Sequence, residues 1–125
     1  MNNGSEFHWA EGMKYVLEGI KGLLILNGAA AVSILTFIGN TEAHSNLFVI
    51  GMICFALGAA MAPLALWCAY ETQLSYGNAA SSAQNTRDYA RAGKFHNITR
   101  WCAGLGFLMF LVGMLSAALG LWANT

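Results

Sequence analysis

Hydrophobic positions along this chain collect into three uncharged runs, Gly22 to Gly39, Leu47 to Tyr70 and Trp101 to Ala123, with every charged residue before or between them. At about 1.5 Å of rise per residue, each run wound as a helix is long enough to cross a hydrocarbon core of about 30 Å. A soluble three-helix bundle of this size needs polar stripes along those runs, and they carry none. The pattern predicts an all-α integral membrane protein, three transmembrane helices in a compact bundle, as a single membrane domain over residues 1–125. Helix 1 is expected over about residues 5–39, an outer loop over 40–46, helix 2 over about 47–92 and helix 3 over about 97–123.

Polar positions near the runs refine these elements. Ahead of the first run, Glu11, Lys14, Glu18 and Lys21 form a charged helical stripe of alternating sign, and Trp9, Met13, Val16 and Ile20 form an apolar one. The first helix is therefore read as an amphipathic cytoplasmic extension that continues into the membrane. After the second run, the alanines, Gln84, Arg87 and Arg91 favour helix, and Gly93 followed by Lys94 looks like a stop. Helix 2 is expected to project as far as about Gly93, loosened around Gly77 and Asn78, before Asn97 or Thr99 caps helix 3.

Each run also carries small residues in one register. Gly22, Ala29, Ser33, Thr36 and Asn40 are repeated in spacing by Gly51, Gly58, Ala62, Ala65 and Ala69, and again by Gly106, Gly113, Ala117, Gly120 and Asn124 in and just after the third run. At 100° per residue each set lies within about 60° of arc. Such stripes let helix backbones approach closely in lipid, so the expectation is small face against small face. Pro63, next to Ala62, removes the hydrogen bond that Ala59 would accept, which predicts a modest kink in helix 2.

Asn27 is the anomaly in the first run. An amide in hydrocarbon is costly unless something bonds it. It lies about 140° from the small stripe, on the face shared by Ile20, Ala31, Ile34 and Ile38. If the small stripes close the bundle, Asn27 looks outward, and Asn27, Ala31 and Ile34 become a candidate intersubunit or pore contact. The alternative is that Asn27 bonds a backbone carbonyl of its own bundle.

Charge adds an orientation. All six basic residues lie before the first span or between the second and third, and the loop "NTEAHSN" and the tail "NT" have none. Basic residues are retained on the cytoplasmic side, so the N-terminus and the second loop are expected to be cytoplasmic and the C-terminus outside, in a bacterial inner membrane or its equivalent. Trp67, Tyr70 and Trp101 then make an inner aromatic belt, with Trp122 at the outer face. Arg87, Arg91, Lys94 and Arg100 are placed to meet lipid headgroups. No basic region followed by a short apolar stretch and a cleavage site opens the chain, so the first span is read as an uncleaved anchor.

Candidate chemistry is sparse. The single aspartate, Asp88, and the outer His44 fall on opposite sides, which excludes a serine hydrolase triad. His8, His44 and His96 lie outside the spans, so transmembrane haem ligation is not expected. His8 and Glu11 could share a metal with His96, but no further ligand is evident, and they read as interfacial side chains. Cys54, Cys68 and Cys102 lack metal spacing and read as small packing residues. No catalytic residue, cofactor, metal or nucleic-acid partner is expected. No charge lies within a span, which disfavours ion-coupled transport.

Two function classes follow. The first is a small non-enzymatic membrane protein that acts through helix–helix assembly, as a homo-oligomer or as an accessory subunit of a larger membrane complex, its partners being the bilayer and other membrane chains. The second is an oligomeric pore or permeabilising effector with Asn27, Ser33 or Thr36 lining a polar path. By length and span count the chain is similar to three-span phage holins. That family typically runs with its N-terminus outside and a charged cytoplasmic tail, the reverse of the orientation read here. The spans are glycine-rich and nearly uncharged, whereas an aqueous pore usually needs a more continuous polar face, which favours the first class.

Overall fold

A computed structural model describes the backbone of residues 3–41, 45–81 and 85–123, with side chains over 12–41, 45–79 and 86–123. All the described secondary structure is helical: α1 spans Asn3–Thr41, α2 Asn46–Ser81 and α3 Asn85–Trp122. Each contains a stretch long and apolar enough to cross a membrane, Gly12–Thr41, Asn46–Ala79 and Thr86–Trp122. Outward side chains such as Ile25, Val32, Leu57, Leu111 and Leu115 are large and apolar, the surface that hydrocarbon tolerates and water does not.

The ends follow local chemistry. The Thr41 hydroxyl donates to the Phe37 carbonyl at 2.7 Å in the last turn of α1. Ser45 caps α2, its Oγ accepting the Leu47 amide at 3.3 Å while its carbonyl accepts the Phe48 amide at 3.0 Å. Residues 42–44, including His44, and 82–84, including Gln84, lie outside the described residues, as does Asn124.

Two expected boundaries are corrected. α2 ends at Ser81, not near residue 92, and α3 begins at Asn85, not near 97. Gly93 and Lys94 are interior to α3, and Thr99, expected as a cap, donates its hydroxyl to the Phe95 carbonyl at 3.0 Å in mid-helix. Tertiary pairing outweighs the local stop signals. Residues 86–96 lie against the last turns of α2, where the Tyr76 and Tyr89 rings meet edge-on at 5.9 Å, Arg91 bonds Glu71 at 3.1 Å, and Ala79 and Ala92 are both buried. Helix 2 is not loosened at Gly77 and Asn78 either, since α2 runs through both.

Pairings along the chain give the topology. Gly51 lies against Gly113, Gly58 against Gly106 and Phe48 against Gly120, so α2 and α3 are antiparallel. Asn27 meets Gly58, Ile34 meets Gly51 and the Phe37 and Phe48 rings sit 5.4 Å apart, so α1 is antiparallel to α2. α1 leans mainly on α2 and touches α3 far less. Ile20, Ala62, Ala65 and Cys102 form one buried cluster, and Ile34, Phe48 and Phe55 form a second with Phe110 and Ala117 packed against it. Asn27 lies between the two along α1. α2 continues unbroken through Pro63, whose ring faces outward beside the buried Ala62.

Candidate functional site

Gly51, Gly113 and Gly120 lie on the α2–α3 seam, while Gly58 of the α2 stripe faces Asn27 of α1. A Cβ added at Gly51 would lie 3.1 Å from the Gly113 carbonyl oxygen, one at Gly113 would lie 2.8 Å from the Phe55 ring, and one at Gly120 would lie 3.0 Å from the Phe48 ring. A side chain at any of the three would force its neighbour to shift, so glycine suits the close approach. Ala62, Ala65 and Ala69 are buried, and Ala117 partly so.

α1 departs from expectation. Its small stripe does not face the other helices: Ala29, Ser33, Thr36 and Asn40 are exposed, and a Cβ at Gly22 would meet nothing within 4 Å. α1 instead packs through its large face, Ile20, Leu23, Asn27 and Ile34, all buried, with Ala31 and Ile38 partly buried. The physical reason is complementarity. The glycines of α2 and α3 leave hollows, and a hollow is filled by a protruding side chain rather than by a second small one. Leu23 packs on Gly106, its Cδ2 lying 2.7 Å from where a Cβ would be, and Asn27 fills the hollow at Gly58.

Asn27 therefore faces inward and is 0% exposed, which corrects the outward placement. Neither an intersubunit contact nor a pore lining is open to Asn27, Ala31 or Ile34 in this arrangement, since all three lie on the face that α1 turns to its own chain. The amide Nδ2 donates to the Leu23 carbonyl at 3.0 Å within α1 and reaches the Gly106 carbonyl of α3 at 3.5 Å. Its Oδ1 has no hydrogen-bond partner among the described residues and lies against Gly58, where an added Cβ would fall inside the amide. The Gly58 hydrogen in that position points at Oδ1, the weak Cα–H···O geometry common where helices approach closely. One side chain thus touches all three helices. A buried polar group of this kind sets the rotation and depth of a helix at some expense in stability.

The exposed face of α1 is polar without being hungry for bonds. Ser33 donates to the Ala29 carbonyl at 2.8 Å and Thr36 to the Val32 carbonyl at 2.9 Å, so both hydroxyls are bonded within the helix. Along its apolar stretch α1 buries fewer residues than α2 or α3, which makes it the helix with most surface left over.

Of the basic residues expected at headgroups, Arg87, Lys94 and Arg100 are exposed. Arg91 is engaged within the chain: it bonds Glu71 across the α2–α3 seam and lies 5.7 Å from the centroid of the Phe95 ring. Lys21 bonds Glu18 at 2.8 Å on the exposed side of α1, as the charged stripe implied. The Glu11, His8 and Trp9 side chains lie outside the described residues, so the three-residue metal site with His96 is not assembled from what is described. Cys68 and Cys102 are buried and Cys54 partly buried, all as free thiols. The aromatic residues Trp67, Tyr70, Trp101 and Trp122 are all exposed.

What the sequence reasoning missed is the complementary face. Ile20, Leu23, Asn27, Ile34 and Ile38 recur at steps of three, four, seven and four, a signal as regular as the small stripe. No family of proteins, no curated protein and no solved structure matches this chain.

Proposed function

We propose that this is a small non-enzymatic integral membrane protein that acts by helix–helix assembly, as a homo-oligomer or as an accessory subunit of a larger membrane complex, with the small-residue face of α1 as the contact. The observation that carries the proposal is the outward setting of Ala29, Ser33, Thr36 and Asn40 while the matching stripe of α2 and most of that of α3 are used up inside the chain. Small residues at i, i+4, i+7 and i+11 give the close backbone approach that drives association in lipid, where apolar burial adds nothing. The two hydroxyls on that face can accept a further bond while donating within their own helix.

The orientation rests on the basic residues. The N-terminus and the tip where α2 meets α3 lie in the cytoplasm, the C-terminus outside, in a bacterial inner membrane or its equivalent. The shortest helix, 36 residues in α2, spans roughly 54 Å by helical rise, so each helix outruns the hydrocarbon core. The surplus forms a cytoplasmic extension of α1 and a projecting α2–α3 hairpin, and the three spans close as a compact bundle.

Oxidative crosslinking in native membranes tests the proposal. In a cysteine-free chain, Ala29→Cys and Ser33→Cys should give a crosslinked species larger than the monomer, while Ala31→Cys and Ile34→Cys should remain monomeric. Crosslinking from the inner-face positions alone would sink it.

A further inference from the structure

Below the Ile20–Ala62–Ala65–Cys102 cluster, toward the N-terminal part of α1, a groove of about 540 Å³ opens among the three helices. That is the size of a small-molecule site rather than a packing defect. Its apolar lining comes from Val16 and Ile20 of α1, Ala69 of α2 and Ala103 of α3. Its polar lining includes Gln73, His96 and Arg100.

Those polar groups are unbalanced. Among the described residues Gln73 Nε2 has no hydrogen-bond partner, and it is closed to solvent in this conformer, a state that costs about 1–3 kcal/mol and that a turn of the amide toward the groove would relieve. Arg100 brings a permanent cation with up to five donors. Thr72 and Thr99, also on the groove, already donate to the Cys68 and Phe95 carbonyls at 2.8 and 3.0 Å. Among the described residues no acidic side chain lines the groove, and Glu18 and Glu71 are each bonded to another cation, Lys21 and Arg91. Through its described residues the groove therefore offers donors and positive charge over an apolar floor. An occupant must supply acceptors, negative charge and an apolar body together.

Depth selects among such molecules. The groove lies where the uncharged runs of α2 and α3 end, at Tyr70 and Trp101, both exposed aromatics of the kind that sit at the headgroup level. We infer that the groove is a binding site for an anionic phospholipid, its phosphate taken by Arg100 and the Gln73 amide and the start of its acyl region lying on Val16, Ile20, Ala69 and Ala103. A free phosphate would gain nothing from that floor, and a zwitterionic lipid would present its own cation to Arg100. The inference requires the helices to span a bilayer and is independent of what α1 assembles with.

Native mass spectrometry of the detergent-purified protein, titrated with dioleoyl phosphatidylglycerol or dioleoyl phosphatidylcholine, tests it. The intact protein should retain phosphatidylglycerol in preference. Arg100→Gln should weaken that binding by roughly tenfold, the effect of one charge-assisted hydrogen bond, and Gln73→Leu by a few-fold, the effect of a neutral one. Arg87→Gln, an exposed cation that does not line the groove, should leave it unchanged. Gln73→Leu removes an unpartnered amide, so the thermal midpoint should not fall, and a folded variant with weakened lipid retention is the expected pair of results. Equal retention in the intact protein, Arg100→Gln and Gln73→Leu would overturn the site. Equal loss in Arg87→Gln and Arg100→Gln would reduce it to diffuse charge. Displacement of the lipid by millimolar inorganic phosphate would show a small-anion site instead.

Discussion

Asn27 is enclosed by three helices, and its bonds are those of a spacer that fixes position more than of a clamp that supplies energy. The shorter of its two donated bonds stays within α1, the interhelical one is 3.5 Å long, and its oxygen lies against Gly58 with no hydrogen-bond partner among the described residues. Interhelical bonds in lipid average about 0.6 kcal/mol, so Asn27→Leu, which keeps the branched shape, should change the unfolding free energy in detergent by less than about 1.5 kcal/mol. Glycine substitutions should be far more position-dependent. Gly113→Ala drives a methyl into the Phe55 ring and should cost about 1–3 kcal/mol, whereas Gly104→Ala, with nothing within 4 Å, should be neutral or stabilising by up to about 1 kcal/mol. Equal effects at both glycines, measured by titration of unfolding, would contradict the seam described. That Asn27 mattered was legible from its chemistry alone, an amide in an apolar run. Which way it faced was not, because Gly58 and Gly106 lie far from it in sequence and the hollow they form exists only once α2 and α3 are paired.

At the scale of the elements, α2 and α3 make one long antiparallel pair and α1 rides on it. The three apolar runs located all three helices, because hydrocarbon-length stretches without charge have few other uses. The ends of α2 and α3 differ from expectation because the local signals at Gly77, Asn78 and Gly93 are all overridden, and the contacts between Tyr76 and Tyr89 and between Glu71 and Arg91 that override them join residues far apart in the pattern. The ion pair itself should add little. The Arg91 side chain is 60% exposed and that of Glu71 16%, so solvent screens much of the attraction. Arg91→Gln should lower the unfolding midpoint only slightly, by less than about 1 kcal/mol in free energy, and a loss of several kcal/mol would mean that the pair is far less solvated than its exposure indicates.

For the whole molecule, three apolar helices make membrane residence plausible, and sidedness can be checked on the full chain. In a cysteine-free background, a membrane-impermeant thiol reagent added to intact cells should label Ala123→Cys and spare Thr86→Cys, both exposed positions at opposite ends of α3. Labelling at 86 alone would invert the orientation. Whatever the sidedness, the face that the molecule offers to its surroundings is decided by the rotation of α1, and that rotation is recorded in the contact between Asn27 and Gly58. A double-mutant cycle of Gly58→Ala and Asn27→Ala, read as unfolding free energy, is the most direct test. Gly58→Ala should cost about 1–3 kcal/mol in the native background, where its methyl collides with the Asn27 amide, and no more than about 0.5 kcal/mol once Asn27 is alanine. The same cost in both backgrounds would mean that Asn27 does not sit in the hollow at Gly58, and that the small face of α1 is not the one turned outward.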